Sequence, residues 1–159
     1  MNPKIVTVAQ LAGISAELRH AGKRLVVTNG CFDILHLGHV RYLQAARALG
    51  DALAVGVNGD ASVRSLKGEG RPLNREQDRA EVLAALSCVD YVAIFQELRA
   101  TAFLSEVRPA IYAKGGDYKP ETLDAEERMS LQKTGAEIRI IPFEEGYSTT
   151  ALINRMNVF

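Results

Sequence analysis

The sequence predicts an α/β fold in which a five-stranded parallel sheet carries helices on both faces. Five short apolar runs alternate along the chain with segments of helical length. Most of these runs are continuously apolar, which is typical of strands buried on both faces. Strands that alternate with helices imply parallel pairing through right-handed crossovers. Ligands of such open sheets bind beyond the carboxyl ends of the strands, so the loops there are where chemistry is expected.

The strands are placed by their apolar runs and the helices by their end signals. The predicted strands cover residues 25–27, 52–57, 91–95, 110–113 and 138–141. Thr7 is expected to cap a first helix that ends at Gly22, and a second helix covers residues 38–49. Asn74 and Gln77 have the spacing of a capping box, which predicts a helix from there to about residue 87. Three more helices are expected over residues 99–107, 124–134 and 149–156, the last with Leu152, Ile153 and Met156 facing inward.

The composition is that of an ordinary folded domain. The chain has 159 residues, of which 47% are apolar, and residues 1–159 are predicted to form a single domain. Nineteen basic and nineteen acidic side chains cancel, which argues against a dedicated nucleic-acid binder. Cys31 and Cys88 are expected to be free thiols, which favours a cytoplasmic location. No run is apolar enough for a signal peptide or a membrane span, so no membrane partner is expected.

The loop after the first strand contains the densest group of chemically active residues. It turns at Gly30 and enters the second helix near Gly38, between His36 and His39. Unpaired N–H groups and the positive end of the dipole make a helix start suitable for phosphate. The two histidines are three residues apart and can converge on one ligand. The alternatives are capping or packing residues and a zinc site, although the segment has no third zinc ligand at a suitable spacing.

The run from Gly30 to His39 resembles the signature of the cytidylyltransferase-like nucleotidyltransferase superfamily. Its HxGH motif is shared with class I aminoacyl-tRNA synthetases, but the chain is short for a synthetase and Arg128-Met129-Ser130 matches their second signature poorly. The resemblance implies a Rossmann-like nucleotidyltransferase fold and an enzyme. It implies catalytic roles for His36, His39 and Lys67. It also implies a nucleotide site at this turn, formed by Asn29, Gly30, Cys31, Phe32, Gly38 and His39.

A second helix start and three loops complete the predicted site. Hydroxyls at Ser148, Thr149 and Thr150 can simply cap the last helix, but the resemblance implies that they receive the triphosphate. Lys67 and Arg71 lie in a glycine-containing loop that is either a solvated surface loop or, as the resemblance implies, a source of cations for the phosphates. The remaining expected residues are Lys114, Gly115 and Asp117 for the nucleotide, and Asp33, Asn58, Asp60 and Lys67 for a sugar phosphate.

From residue 24 to residue 155 the chain resembles the heptose 1-phosphate adenylyltransferases. This resemblance implies transfer of AMP from ATP to D-glycero-β-D-manno-heptose 1-phosphate, giving ADP-heptose and pyrophosphate for lipopolysaccharide core precursors. Two alternatives stay open: a cytidylyltransferase for glycerol 3-phosphate or another polyol phosphate, and a non-catalytic nucleotide-binding regulatory domain. The expected cofactor is Mg²⁺ bound with ATP, with Asp33 as a candidate ligand. A separate upstream sugar kinase and a homodimer or higher homo-oligomer are also expected.

Overall fold

The computed structural model describes residues 1–116 and 119–157. The strands are β1 (Leu25–Gly30), β2 (Ala52–Asn58), β3 (Tyr91–Phe95), β4 (Ile111–Gly115) and β5 (Glu137–Ile141). The α-helices are α1 (Val8–His20), α2 (Leu37–Arg47), α3 (Asp60–Lys67), α4 (Glu76–Ala84), α5 (Thr101–Val107), α6 (Ala125–Thr134) and α7 (Thr149–Met156). A short 3₁₀ helix covers Pro120–Thr122.

The five strands form one parallel sheet, which confirms the predicted sheet. Their order is β3-β2-β1-β4-β5, and each neighbouring pair is parallel. The chain therefore builds outward from β1 through β2 to β3, and then returns to the other side of β1 for β4 and β5. The order reverses between β1 and β4. Connections leave a crevice at the carboxyl ends of strands where such a reversal occurs, and ligands bind there.

Helices cover both faces of the sheet, as predicted. Successive residues of β1 alternate between two apolar clusters, because side chains of a strand point to opposite faces in turn. The cluster that contains Val26 includes buried residues of α2 and α4, whereas the cluster of Leu25 and Val27 includes buried residues of α1, α5 and α6. The sheet is therefore buried on both sides, which explains the continuously apolar strand sequences.

Several predicted element ends differ from the observed ones. The short helix α3 (Asp60–Lys67) was not predicted. The capping box at Asn74 is wrong, because α4 begins at Glu76 with Arg75 as its cap, while Asn74 donates its N–H and its side-chain amide to Asp33. Met156 is 58% exposed, so its predicted inward orientation is wrong, whereas Leu152 and Ile153 are half-buried. Thr7 does cap α1, through a reciprocal box with Gln10.

Candidate active site

A cavity of about 910 Å³ opens at the carboxyl ends of β1 and β4, where the strand order reverses. It is bounded by the β1–α2 loop, the start of α7 and a segment that we call the cation loop (residues 67–74). The predicted site residues that line it are Asn29, Gly30, Cys31, Phe32, Asp33, His36, Gly38, His39, Asn58, Lys67, Arg71, Lys114, Gly115, Ser148, Thr149 and Thr150. Asp60 does not line it, and Asp117 lies outside the described residues.

The two histidines form a reciprocal cap at the start of α2. His36 is the N-cap residue, and its Nδ1 accepts a hydrogen bond from the N–H of His39 at 3.4 Å. The Nδ1 of His39 accepts in turn from the N–H of His36 at 3.3 Å. The rings stack with centroids 3.8 Å apart. The capping interpretation of these residues is therefore correct, and these two hydrogen bonds involve neither Nε2 atom.

The pKa values of both imidazoles lie below the ordinary histidine value, which favours the neutral form near pH 7. Burial lowers the pKa of His36, and burial followed by the neighbouring His36 lowers the pKa of His39 to about 4. Because each Nδ1 is an acceptor, the single proton of each neutral ring is assigned to Nε2. The pair thus presents N–H donors, which suit phosphate oxygens. A triphosphate beside these rings would favour the protonated form and raise both pKa values.

The start of α7 faces the same cavity and contacts the start of α2. The hydroxyl of Ser148 caps α7 by accepting from the N–H of Ala151 at 3.0 Å. Thr149 donates to the carbonyl of Ile34 at 3.3 Å, which ties the two loops together. A Cβ placed on Gly38 would lie 2.8 Å from the Cβ of Tyr147, so this glycine allows the two helix starts to approach each other.

The cation loop brings positive charge to the cavity. Lys67 ends α3, and within residues 1–116 and 119–157 its ammonium has no hydrogen-bond or ion-pair partner. Arg71 lines the cavity and pairs with Asp33, Nε to Oδ2, at 2.8 Å. Burial alone raises the pKa of Asp33, but hydrogen bonds from the N–H groups of Asn74 and Leu73 and the pair with Arg71 outweigh it, so that the pKa lies below its usual value.

Three other predicted residues are engaged inside the protein. The side-chain amide of Asn58 donates to Ser62, and the carboxylate of Asp60 pairs with Arg79 at 2.8 Å. Lys114 lies 3.7 Å from the buried carboxylate of Glu127.

Burial raises the pKa of the Cys31 thiol despite nearby cations, so this cysteine is neutral and suited to packing rather than attack.

Sequence reasoning missed several residues that shape the cavity. The hydroxyl of Tyr42 donates to the carbonyl of Ala113 and bonds with Thr28, and burial raises its pKa to about 12. The ring of Phe143, which is 69% exposed, packs on the Gly115–Gly116 backbone, where an added Cβ would lie as close as 2.4 Å. Arg41, in the second turn of α2, forms an ion pair with Glu144, and no local signal indicates a partner that lies 103 residues further along the chain.

The fold and site together define a nucleotidyltransferase domain, with an HxGH turn at the reversal of a parallel sheet and a second, hydroxyl-bearing helix start facing it. Residues 27–155 match the family described as cytidylyltransferase-like, and the chain belongs to this family. This membership confirms the resemblance expected from the signature. Among the described residues, no helix is long and apolar enough to cross a membrane.

Curated relatives give a narrower comparison. The chain is 53% identical over 135 residues to "Bifunctional protein HldE" of Pelobacter propionicus, a match that covers 85% of this chain and 27% of the relative. It is 53% identical over 143 residues to the protein of the same name from Nitratiruptor sp., covering 90% of this chain and 30% of that protein. The chain therefore spans less than a third of the length of these relatives.

Two solved structures are similar in fold. The lipopolysaccharide core biosynthesis protein of Thermoplasma volcanium superposes with a TM-score of 0.64 at 32% identity, over 80% of this chain and all of that one. Pantoate-β-alanine ligase of Francisella tularensis superposes with a TM-score of 0.57, over 89% of this chain and 67% of the ligase. The ligase is only 14% identical, so that likeness shows the fold alone.

Proposed function

We propose that the domain transfers AMP from ATP to D-glycero-β-D-manno-heptose 1-phosphate, giving ADP-heptose and pyrophosphate for lipopolysaccharide core precursors. The observation that carries the proposal is the joining of two helix starts and a neutral histidine pair in one cavity. Relatives at 53% identity, and a solved relative named for lipopolysaccharide core biosynthesis, support the choice of substrate.

The chemistry needs positioning and charge stabilisation more than a base. The second pKa of a phosphate monoester is about 6, so the sugar phosphate is already a good anionic nucleophile at neutral pH. One of its oxygens attacks the α-phosphorus of ATP, the bond from that phosphorus to the bridging oxygen breaks, and pyrophosphate leaves with the electron pair. Negative charge grows on the transferring and leaving phosphates, where donors and cations can stabilise it.

Each group in the cavity receives a role from its position. The Nε2–H groups of His36 and His39 donate to the reacting phosphates, with His39 nearer the α-phosphorus. Lys67 and Arg71 add positive charge from the cation loop. Ser148, Thr149 and Thr150, with the N–H groups at the start of α7, hold the β- and γ-phosphates. The base lies toward Lys114 and Gly115, where the glycine backbone already packs against the flat ring of Phe143.

Mg²⁺ fits this site as an ion carried by the triphosphate. Within residues 1–116 and 119–157, no group of three or more His, Cys, Asp or Glu side chains can hold a metal ion. Mg²⁺ commonly keeps several waters and binds substrate phosphates with few protein ligands. It would supply charge neutralisation at the leaving pyrophosphate, while the residues of the chain orient the triphosphate.

A cytidylyltransferase that acts on glycerol 3-phosphate or another polyol phosphate is the second candidate, favoured by the description of the matching family. A grid of ATP, CTP, GTP and UTP against heptose 1-phosphate and glycerol 3-phosphate, scored by pyrophosphate release, separates the two. We expect turnover with ATP and heptose 1-phosphate. Strong turnover with CTP and none with ATP would overturn the proposed substrates.

Four further properties of the protein remain predictions. They are a cytoplasmic location, a homodimer or higher homo-oligomer, a separate sugar kinase that supplies the 1-phosphate, and a single domain over residues 1–159. Size-exclusion chromatography with light scattering measures the second, and a mass of one chain at micromolar concentration would contradict it.

A further inference from the structure

The carboxylate of Asp33 lies at the cavity, but its hydrogen bonds are directed into the protein. Its side chain is only 1% exposed. Oδ2 accepts from Nε of Arg71 at 2.8 Å, Oδ1 accepts from the N–H of Asn74 at 2.9 Å, and the N–H of Leu73 donates to both oxygens at 2.8 and 3.0 Å. A carboxylate offers about four lone-pair sites, so little capacity is left for a sugar hydroxyl or a metal ion.

A buried arginine, Arg79, connects the cation loop to the fold in addition to Asp33. Arg79 has no exposed side-chain surface, and its Nη1 donates to the carbonyl of Cys31 at 2.6 Å. Its Nε donates to the carbonyl of Asn74 at 3.0 Å, and its Nη2 to the carboxylate of Asp60 at 2.8 Å. Arg79 therefore joins the β1–α2 loop, the start of α3 and the end of the cation loop. Removing a buried charge from water destabilises the fold unless hydrogen bonds compensate for the loss, and these three bonds supply that compensation for Arg79.

These contacts fix the orientation of Arg71. Its Nε is occupied by Asp33, whereas its terminal nitrogens have no hydrogen-bond partner within the part of the chain that the structure describes. The planar guanidinium has a fixed fork of donors, so holding one edge aims the others. Because Arg71 lines the cavity, its remaining donors are available to a phosphate there.

We propose that Asp33 is a positioning residue that holds the cation loop and aims Arg71, and that it does not itself bind the sugar phosphate or Mg²⁺. Arg79 fixes the same loop from the other side. The assignment rests on the proposed function, since the aim of Arg71 affects catalysis only if phosphates react in this cavity. It replaces the expected sugar-phosphate role of Asp33 with one exerted through the loop.

A kinetic double-mutant cycle tests this route of action. Asp33→Asn keeps one oxygen for the N–H groups of Leu73 and Asn74 but places an amide NH₂ against Nε of Arg71. We expect it to lower kcat about 10-fold alone and by almost nothing in an Arg71→Ala background, because coupled residues are not additive. The KM for the sugar phosphate and the Mg²⁺ dependence should not change. Additive losses, a raised sugar-phosphate KM or a shifted Mg²⁺ requirement would overturn the proposal.

The matched control is Glu69→Gln, another acid-to-amide change in the cation loop. Glu69 is exposed, and its side chain makes no hydrogen bond among the described residues, so wild-type kcat and KM are expected. A loss equal to that of Asp33→Asn would show that any neutralised acid in the loop has the same effect, which would contradict the proposal.

Hydrogen exchange tests the positioning role of Asp33 independently of the proposed function. The amide protons of Leu73 and Asn74 should be protected in the wild type and exchange at least 10-fold faster in Asp33→Ala, while the strand amides keep their protection. This readout needs no turnover, so it holds even if ATP and heptose 1-phosphate do not react. If each of these two amides exchanged at the same rate in Asp33→Ala as in the wild type, Asp33 would not hold the cation loop.

Discussion

The two helix starts that face the cavity are built in different ways. Helix α2 follows a buried strand and begins at His36 and His39, whose rings are partly buried and bound to each other's backbone. Helix α7 follows an exposed loop, has no buried residue and is capped by the exposed Ser148. Both starts offer N–H groups to an anion, but the first is held by two partly buried rings, whereas the second is held by the hydroxyl of Thr149 on the carbonyl of Ile34.

Because of this difference, we expect the two helix starts to affect different kinetic parameters. Donors that are preorganised by the fold stabilise charge in the transition state at no cost of reorganisation, and so they act on kcat. Donors on a loosely packed helix are less preorganised for the charge that grows on the leaving phosphates, and so we expect them to act mainly on KM. We therefore expect the histidine pair to control turnover and the start of α7 to control ATP affinity.

The largest expected effect is on the α2 side. His39→Ala should lower kcat roughly 10²–10³-fold, the usual cost of losing one transition-state donor. The KM for ATP should change little, and circular dichroism should show a folded protein. Pyrophosphate release at the wild-type rate from this folded variant would contradict the assignment of His39.

The second largest effect is expected from a substitution that breaks the contact between the two helix starts. In Gly38→Ala, the new Cβ would lie 2.8 Å from Tyr147 and 2.9 Å from the ring of His36, so the starts must separate. Misplacement by about 1 Å costs about 10²-fold in rate, so kcat/KM for ATP should fall by that order. The control is Gly13→Ala on α1, where an added Cβ meets nothing within 4 Å. It should keep full activity, and equal losses in both variants would argue against this contact.

A smaller effect is expected on the α7 side. Ser148→Ala removes the cap of α7, a loss of about 0.5–2 kcal/mol. We expect the KM for ATP to rise by roughly 2- to 30-fold with kcat near that of the wild type. Thr7→Ala is the matched control, because it removes the cap of α1 outside the cavity lining. A drop in kcat with unchanged KM in Ser148→Ala would reverse the proposed division.

A further effect, on stability rather than on turnover, is a pH dependence that we expect on the α2 side. Burial and the neighbouring His36 give His39 a folded pKa of about 4, below the ordinary value of 6.5. The unfolded chain therefore binds the proton more readily, and the stability contributed by neutral His39 is lost as the pH falls from about 6.5 toward 4. Denaturant titrations should show a steeper loss in the wild type than in His39→Ala, and equal slopes would contradict this.

The sequence predicted the sheet and the two helix starts better than the connections between them. Continuous apolar runs and local end signals place β1 to β5 and the caps at Thr7 and Ser148, because those signals are local. Asn74 was misplaced because its partner, Asp33, is 41 residues away in the chain. The buried Arg79 could not be predicted for the same reason, since its three partners come from three separate segments.

The most direct test of the central claim is ³¹P NMR of the reaction between ATP and D-glycero-β-D-manno-heptose 1-phosphate labelled with ¹⁸O in its phosphate. If the sugar phosphate attacks the α-phosphorus, all of the label appears in the β-phosphate and the bridging oxygen of ADP-heptose, and the pyrophosphate is unlabelled. The same signals should be almost absent with His39→Ala. Label in the pyrophosphate, or no nucleotide sugar from the folded wild-type domain, would contradict the account.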